Sequence, residues 1–159
     1  MVKSNQLVFL KGKEKALDAL FKGREEDGSV VSVPAAFGYL ALGYNSEKND
    51  NGFEDPDKEG SDVDKYGGFK EITDADNYER IELQATKEVT RDPDNGQIIK
   101  KYQAELPASN VTNHLINQFA ICDSKEINNE DTVIYSAASF NTFNKTAETS
   151  ITFIVGFKI

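Results

Sequence analysis

Hydrophobic positions recur along this chain with two different periods, and the change of period marks where elements begin and end. Between residues 12 and 23, Ala16, Leu17, Leu20 and Phe21 fall on one side of a helix, while Lys13, Glu14, Lys15, Asp18 and Lys22 take the other. Gly23 stands where a cap glycine ends a helix. The spacing predicts one amphipathic helix over 12–23, a lid on a sheet or a packing element at an oligomer interface. Elsewhere the period is two. Residues 30–33 and 37–42 read as strands parted by Pro34, the second placing Phe37, Tyr39 and Ala41 on one face. Ile81, Leu83 and Ala85 alternate with Glu82, Gln84 and Thr86, and Tyr102, Ala104 and Leu106 alternate with Gln103 and Glu105. Arg91-Asp92-Pro93-Asp94-Asn95-Gly96 between them is turn chemistry, because Asn-Gly tolerates the positive φ of a tight connection. A hairpin over 80–106 follows.

Residues 115–122 are apolar on alternate positions of both faces (Leu115, Phe119 and Ile121 on one, Ile116, Ala120 and Cys122 on the other), which predicts a strand covered on two sides. Another strand is expected at 132–138, after the polar turn 123–131. Over 149–159, Ile151, Phe153, Val155, Phe157 and Ile159 all point one way, with Thr152, Gly156 and Lys158 opposite. That pattern predicts a half-buried strand running to the last residue. Six or seven strands with one early helix make the expected fold mainly β, an antiparallel β-sandwich.

One stretch has no period. From 45 to 76 the chain carries Glu47, Asp50, Glu54, Asp55, Asp57, Glu59, Asp62, Asp64, Glu71, Asp74 and Asp76, with glycines at 52, 60, 67 and 68. It reads as a long acidic loop inserted into a single domain spanning 1–159. A chain of 159 residues can bury roughly 68–70% of its unfolded surface, enough for a core without staples.

Charge narrows the partners. A formal net charge of −9 argues against nucleic acid and against an anionic membrane surface, both of which need clustered cations. Cys122 is the only cysteine, so neither an intrachain disulfide nor a multi-cysteine metal site is expected. The apolar run at residues 7–10 is far shorter than a signal-peptide core or a membrane span, so assembly in a cytoplasm is expected.

Candidate chemistry is sparse. Asp55-Pro56-Asp57-Lys58-Glu59-Gly60 resembles the start of a calcium loop, which makes Asp55, Asp57 and Glu59 the metal candidates. The pattern then breaks: Val63 occupies a usual ligand position and Tyr66 stands where a bidentate Glu is wanted. A solvated acidic loop without metal or cofactor is the expectation. His114, the one histidine, precedes an apolar strand with no nucleophile context, and reads as a strand-edge residue. Cys122 reads as a small buried hydrophobe. With twenty-seven acids some pair always meets a glycosidase spacing, so such a pair carries no information. Tyr66-Gly67-Gly68 lacks the Lys-Ser/Thr of a phosphate cradle. No catalytic set gathers, and the expectation is a protein that is not an enzyme.

Several pieces, taken in order, resemble the N-terminal module of bacteriophage tail-collar and tail-fibre proteins. That family has an early helix of the form "A-L…L…G" and a strand "K-Y-I-A-I-G". Lys15-Ala16-Leu17-Asp18-Ala19-Leu20-Phe21-Lys22-Gly23 and Phe37-Gly38-Tyr39-Leu40-Ala41-Leu42-Gly43 are similar. A variable acidic loop and an "E-R" lead-in to a strand come next, matched by Tyr78-Glu79-Arg80-Ile81. Leu115-Ile116-Asn117-Gln118-Phe119-Ala120-Ile121-Cys122-Asp123 resembles the family's "I-N-E-I-G-L-F-D", with Gln118 for its Glu and Ala120 for its Gly. A strand pair, Phe140-Asn141-Thr142-Phe143-Asn144-Lys145-Thr146, whose Lys145-Thr146 reads as a turn feeding the last strand, and Ser150-Ile151-Thr152-Phe153-Ile154-Val155-Gly156-Phe157, completes the series.

The resemblance implies a structural component of a phage virion: a tail, collar or neck adaptor, or a fibre-attachment protein, working through assembly with other virion proteins. A capsid-surface or head-fibre protein, or a carbohydrate-binding β-sandwich, is the alternative. Aromatic residues are enriched at interfaces. Leu17, Leu20, Phe21, Phe119, Phe140, Phe143, Phe153 and Phe157 are accordingly the interface candidates of a homo-oligomer.

Overall fold

The computed structural model describes residues 6–20, 36–46 and 68–158. In chain order they form β1 (Gln6–Val8), α1 (Leu10–Leu20), β2 (Tyr39–Gly43), β3 (Ile81–Glu82), β4 (Gln84–Asp92), β5 (Gln97–Leu106), β6 (Asn113–Cys122), β7 (Ile134–Thr146) and β8 (Ile151–Lys158). The strands make two antiparallel sheets, a larger one in the order β1-β7-β6-β2-β3 and a smaller one in the order β4-β5-β8. The sheets pack on one another, with one short N-terminal helix, as the alternation of apolar positions predicts.

The main core lies between the sheets. Leu40, Leu42, Ile116 and Ile121 come from the larger sheet, Ala104, Leu106 and Val155 from the smaller. Aromatic rings cross the gap: Phe119 and Phe153 stand 6.0 Å apart between centroids, Tyr135 and Phe157 5.7 Å. A second, smaller core covers the far face of the larger sheet, where Phe9, Ala41, Phe69, Ala120, Cys122, Ile134 and Ala137 meet. That second core explains why β2 and β6 are apolar on both faces.

The helix begins earlier than its apolar stripe predicts. Phe9 starts it: its N–H donates to the Tyr135 carbonyl at 2.8 Å, and its own carbonyl accepts from Lys13 N–H at 2.9 Å. Gly12 then brings α1 onto β7, because a Cβ there would stand 2.5 Å from Tyr135 Cα. The expected cap, Gly23, and the expected strand at 30–33 lie outside the described residues.

Two further expectations are corrected. β7 is one strand from Ile134 to Thr146, so Lys145 and Thr146 are strand residues and not a turn. Its second half alternates poorly (Asn141, Thr142 and Asn144 are polar), but after a register break at 140–142 β6 resumes pairing from Ile116↔Phe143 to Asn113↔Thr146, and pairing decides over propensity. The stretch 45–76, read as an exposed acidic loop, is anchored to the larger sheet at residues 68–72. Phe69 and Ile72 are buried, Ile72 N–H donates to the Leu42 carbonyl, and Tyr44 N–H donates to the Lys70 carbonyl. Two apolar anchors thus fasten residues 68–72 beside β2.

Candidate functional site

The most concentrated chemistry lies on the far face of the larger sheet. Glu71 is set beside β2 by its bridge to Gly43, and Arg80 leads into β3. Arg80 grips Glu71 with two parallel bonds, Nε to Oε1 at 2.8 Å and Nη2 to Oε2 at 2.9 Å. Its remaining nitrogen donates to the Ser124 carbonyl at 2.9 Å and to Thr132 Oγ1 at 3.3 Å. Tyr78 donates its hydroxyl to Glu71 Oε1 at 2.5 Å and accepts from Leu42 N–H. Burial pushes the Tyr78 hydroxyl well above its ordinary range, and the Glu71 charge adds to that. Burial alone would lower the Arg80 guanidinium, but the Glu71 carboxylate outweighs it and holds the group further up. The pair is therefore bidentate and largely removed from water.

Beside this pair opens a cavity of about 360 Å³. Ala41, Phe69, Cys122 and Ile134 give it apolar walls, and Thr73, Asn128, Asn129, Glu130 and Thr132 add polar ones. Burial pushes the Cys122 thiol up to about 11, which keeps it protonated and unreactive at neutral pH, as a buried small hydrophobe should be. Because Arg80 spends its donors on Glu71, Ser124 and Thr132, the cavity offers a shape with a polar rim more than a free charge.

Two other polar constructions hold loops in place. A register shift in β6 between Ile116 and Gln118 turns both Asn117 and Gln118 inward, where they are about 1% exposed. Asn117 exchanges two bonds with the Asn45 backbone, at 2.9 and 2.7 Å, and Gln118 accepts from Lys70 N–H while donating to the Gly68 carbonyl. Asn45 itself donates to Gly68 at 2.9 Å, so the two ends flanking residues 47–67 are clipped together. Lys145, fully buried on β7, donates to the carbonyls of Ala108, Val111 and Thr146 at 3.1, 3.4 and 2.7 Å. Val111 has φ +55°, a strained value for a β-branched residue, and its carbonyl is one of the three that Lys145 gathers. Burial lowers the Lys145 ammonium.

The residues singled out from the sequence fall into four groups. Phe119, Phe140, Phe143, Phe153 and Phe157 are half-buried against the inter-sheet core. Leu17 is 57% exposed on α1. The Leu20 side chain and Phe21 lie outside the described residues, as do Asp55, Asp57 and Glu59. His114 sits on β6 with Nε2 3.5 Å from Asp74 and its ring edge-on to Tyr44. Among the described residues, no group of three His, Cys, Asp or Glu side chains could hold a metal ion, and no helix is long and apolar enough to cross a membrane.

Sequence reasoning did not single out the Glu71–Arg80–Tyr78 cluster. The available signal was an arginine at the head of an apolar strand, where a cation needs an acid nearby to be tolerated. Comparison with protein-family models, with curated proteins and with solved structures finds no match to this chain.

Proposed function

We propose that this protein is a structural component of a bacteriophage virion, a tail, collar or neck adaptor that works by protein–protein assembly and not by turnover. The observation that carries the reading is the outer edge of the smaller sheet. β8 pairs with β5 along its whole length, and among the described residues no strand pairs its other side. Long sheet edges are normally blunted by proline, inward charges, bulges or a covering helix. β8 has no proline, its pairing with β5 runs without a register shift, Lys158 is its one charge, and Ile154 is 67% exposed beside that edge. An edge of this kind is suited to receive a strand from a neighbouring protein. The resemblance of α1, β2, β6 and β8 to the tail-collar module points the same way.

The cavity favours a second reading, a carbohydrate-binding sandwich, since its volume is in the range of small-ligand sites, about 300–1,000 Å³. The engagement of Arg80 by Glu71 weighs against it. Antibody labelling of gradient-purified particles in the electron microscope separates the readings. Label at the tail or neck is expected; label on the capsid surface moves the protein to the head, and particles free of the chain sink the proposal.

A further inference from the structure

The β4–β5 hairpin reaches beyond the sandwich. Its inward face begins in the core, with Tyr102 paired to Val155 and packed edge-on against Phe157. Further out, the register Val89↔Lys100 and Arg91↔Ile98 puts four more side chains on that same face. There the burial ends: Val89 is 36% exposed, Ile98 is 50% exposed, and Arg91 and Lys100 are exposed too. The outcome is an overhang of two aliphatic and two cationic side chains with no acid among them. Over β4 and β5, residues 84–106, four cations (Lys87, Arg91, Lys100, Lys101) balance four acids (Glu88, Asp92, Asp94, Glu105) in a chain of net charge −9, and two of the cations, Arg91 and Lys100, stand on this face.

The opposite character occurs at the cavity on the far face of the larger sheet. Its walls include Phe69 and Ile134, Glu130 stands at its rim, and the 123–131 turn beside it carries Asp123 (paired with Lys15), Glu126, Glu130 and Asp131 against one cation, Lys125. We propose that the overhanging hairpin face of one copy docks on this cavity and on the acidic 123–131 turn beside it in a second copy, seating Ile98 or Val89 against the apolar walls. The proposal rests on the reading of the chain as an assembly module and names its partner. The two surfaces are different patches of one chain, so the contact either repeats head to tail, into rings or filaments, or is made twice about a two-fold axis. Charge complementarity sets its orientation, and the aliphatic residues supply the burial.

Sedimentation of the full chain across micromolar concentrations, at low and high salt, tests it. Association that weakens with salt is expected. Arg91→Glu with Lys100→Glu should weaken it by about tenfold, and adding Glu126→Lys with Asp131→Lys should restore it. Ile98→Glu should abolish it, with circular dichroism reporting that the fold persists. If Ile98→Glu disturbs the fold, the exposed charge pairs decide alone. A monomer at every concentration, an oligomer indifferent to Ile98→Glu in a folded protein, or a charge swap that fails to restore association overturns the proposal. A monomer that is nonetheless found in purified particles would leave the virion reading standing and assign the hairpin to another virion protein.

Discussion

The two sheets solve the same problem with different means. The larger sheet is covered on both faces, by the smaller sheet on one side and by α1 and residues 68–72 on the other, and it buries Arg80, Asn117, Gln118, Ser136 and Lys145. The smaller sheet is covered on one face, and nearly all of β4 is exposed. Burial on two sides forces every polar group to find a protein partner, so the larger sheet is knit by specific bonds. Burial on one side leaves water as the partner for the other, so the smaller sheet keeps freedom in what its outer positions carry. Stability should therefore concentrate in the larger sheet, and capacity for new contacts in the smaller.

The largest effect that could break this comparison is at Arg80. Arg80→Ala leaves the Glu71 carboxylate in a buried site without its guanidinium, and should cost about 3–5 kcal/mol in urea unfolding. Replacing both partners by apolar residues, Glu71→Leu with Arg80→Met, should recover much of that loss, since no charge is then stranded. A near-zero cost for Arg80→Ala would mean that the pair is wetter than its bidentate geometry requires.

Glycines sharpen the contrast with a matched pair. At Gly12, on the covered side of the larger sheet, a Cβ would lie 2.5 Å from Tyr135 Cα and 2.9 Å from the Ile134 carbonyl oxygen. Those atoms are backbone and cannot swing away. Gly12→Ala should thus cost about 2 kcal/mol despite alanine's better helix propensity. At Gly156, on the exposed face of the smaller sheet, the nearest atom is Ile99 Cγ2 at 3.5 Å, an ordinary contact. Gly156→Ala should be neutral or stabilising by up to about 1 kcal/mol. Equal costs at the two positions in thermal unfolding would erase the distinction between the sheets.

How far the sequence reveals this depends on where each constraint acts. β5, β6 and β8 are legible because their alternation is local: each residue's neighbours two positions away report its face. The hairpin turn is legible for the same reason, and Gly96 does take φ +62° there. The length of β7 is not legible, because Phe143, Asn144, Lys145 and Thr146 are held in strand by pairing with β6 beyond a register break at 140–142, and not by their own pattern. The Glu71–Arg80–Tyr78 cluster is hidden by topology. Arg80 also needs Ser124 and Thr132, which reach it only when the 123–132 turn is brought alongside β3. Among the interface candidates, Phe119, Phe140, Phe143, Phe153 and Phe157 pack against the inter-sheet core, a placement that depends on which sheet faces which and not on local pattern.

The smallest expected effect tests whether the far face of the larger sheet is truly dry. Burial raises the Cys122 thiol from about 9 to about 11. Between those values the unfolded chain releases the proton while the folded chain keeps it, so the folded state binds more protons and stability falls as pH rises. The contribution is fully present below pH 9, and by pH 10 about 1.4 kcal/mol of it should be gone. Tyr78, also raised, slopes the same way, so the thiol has to be isolated by difference. Cys122→Ala lowers stability at neutral pH through the lost packing, but its loss between pH 8 and pH 10 should be smaller than that of the native chain by about that 1.4 kcal/mol. Denaturant midpoints at the two pH values supply the measurement. Parallel pH profiles would show that water reaches the thiol, and with it the second core, leaving the larger sheet covered on one face like its partner.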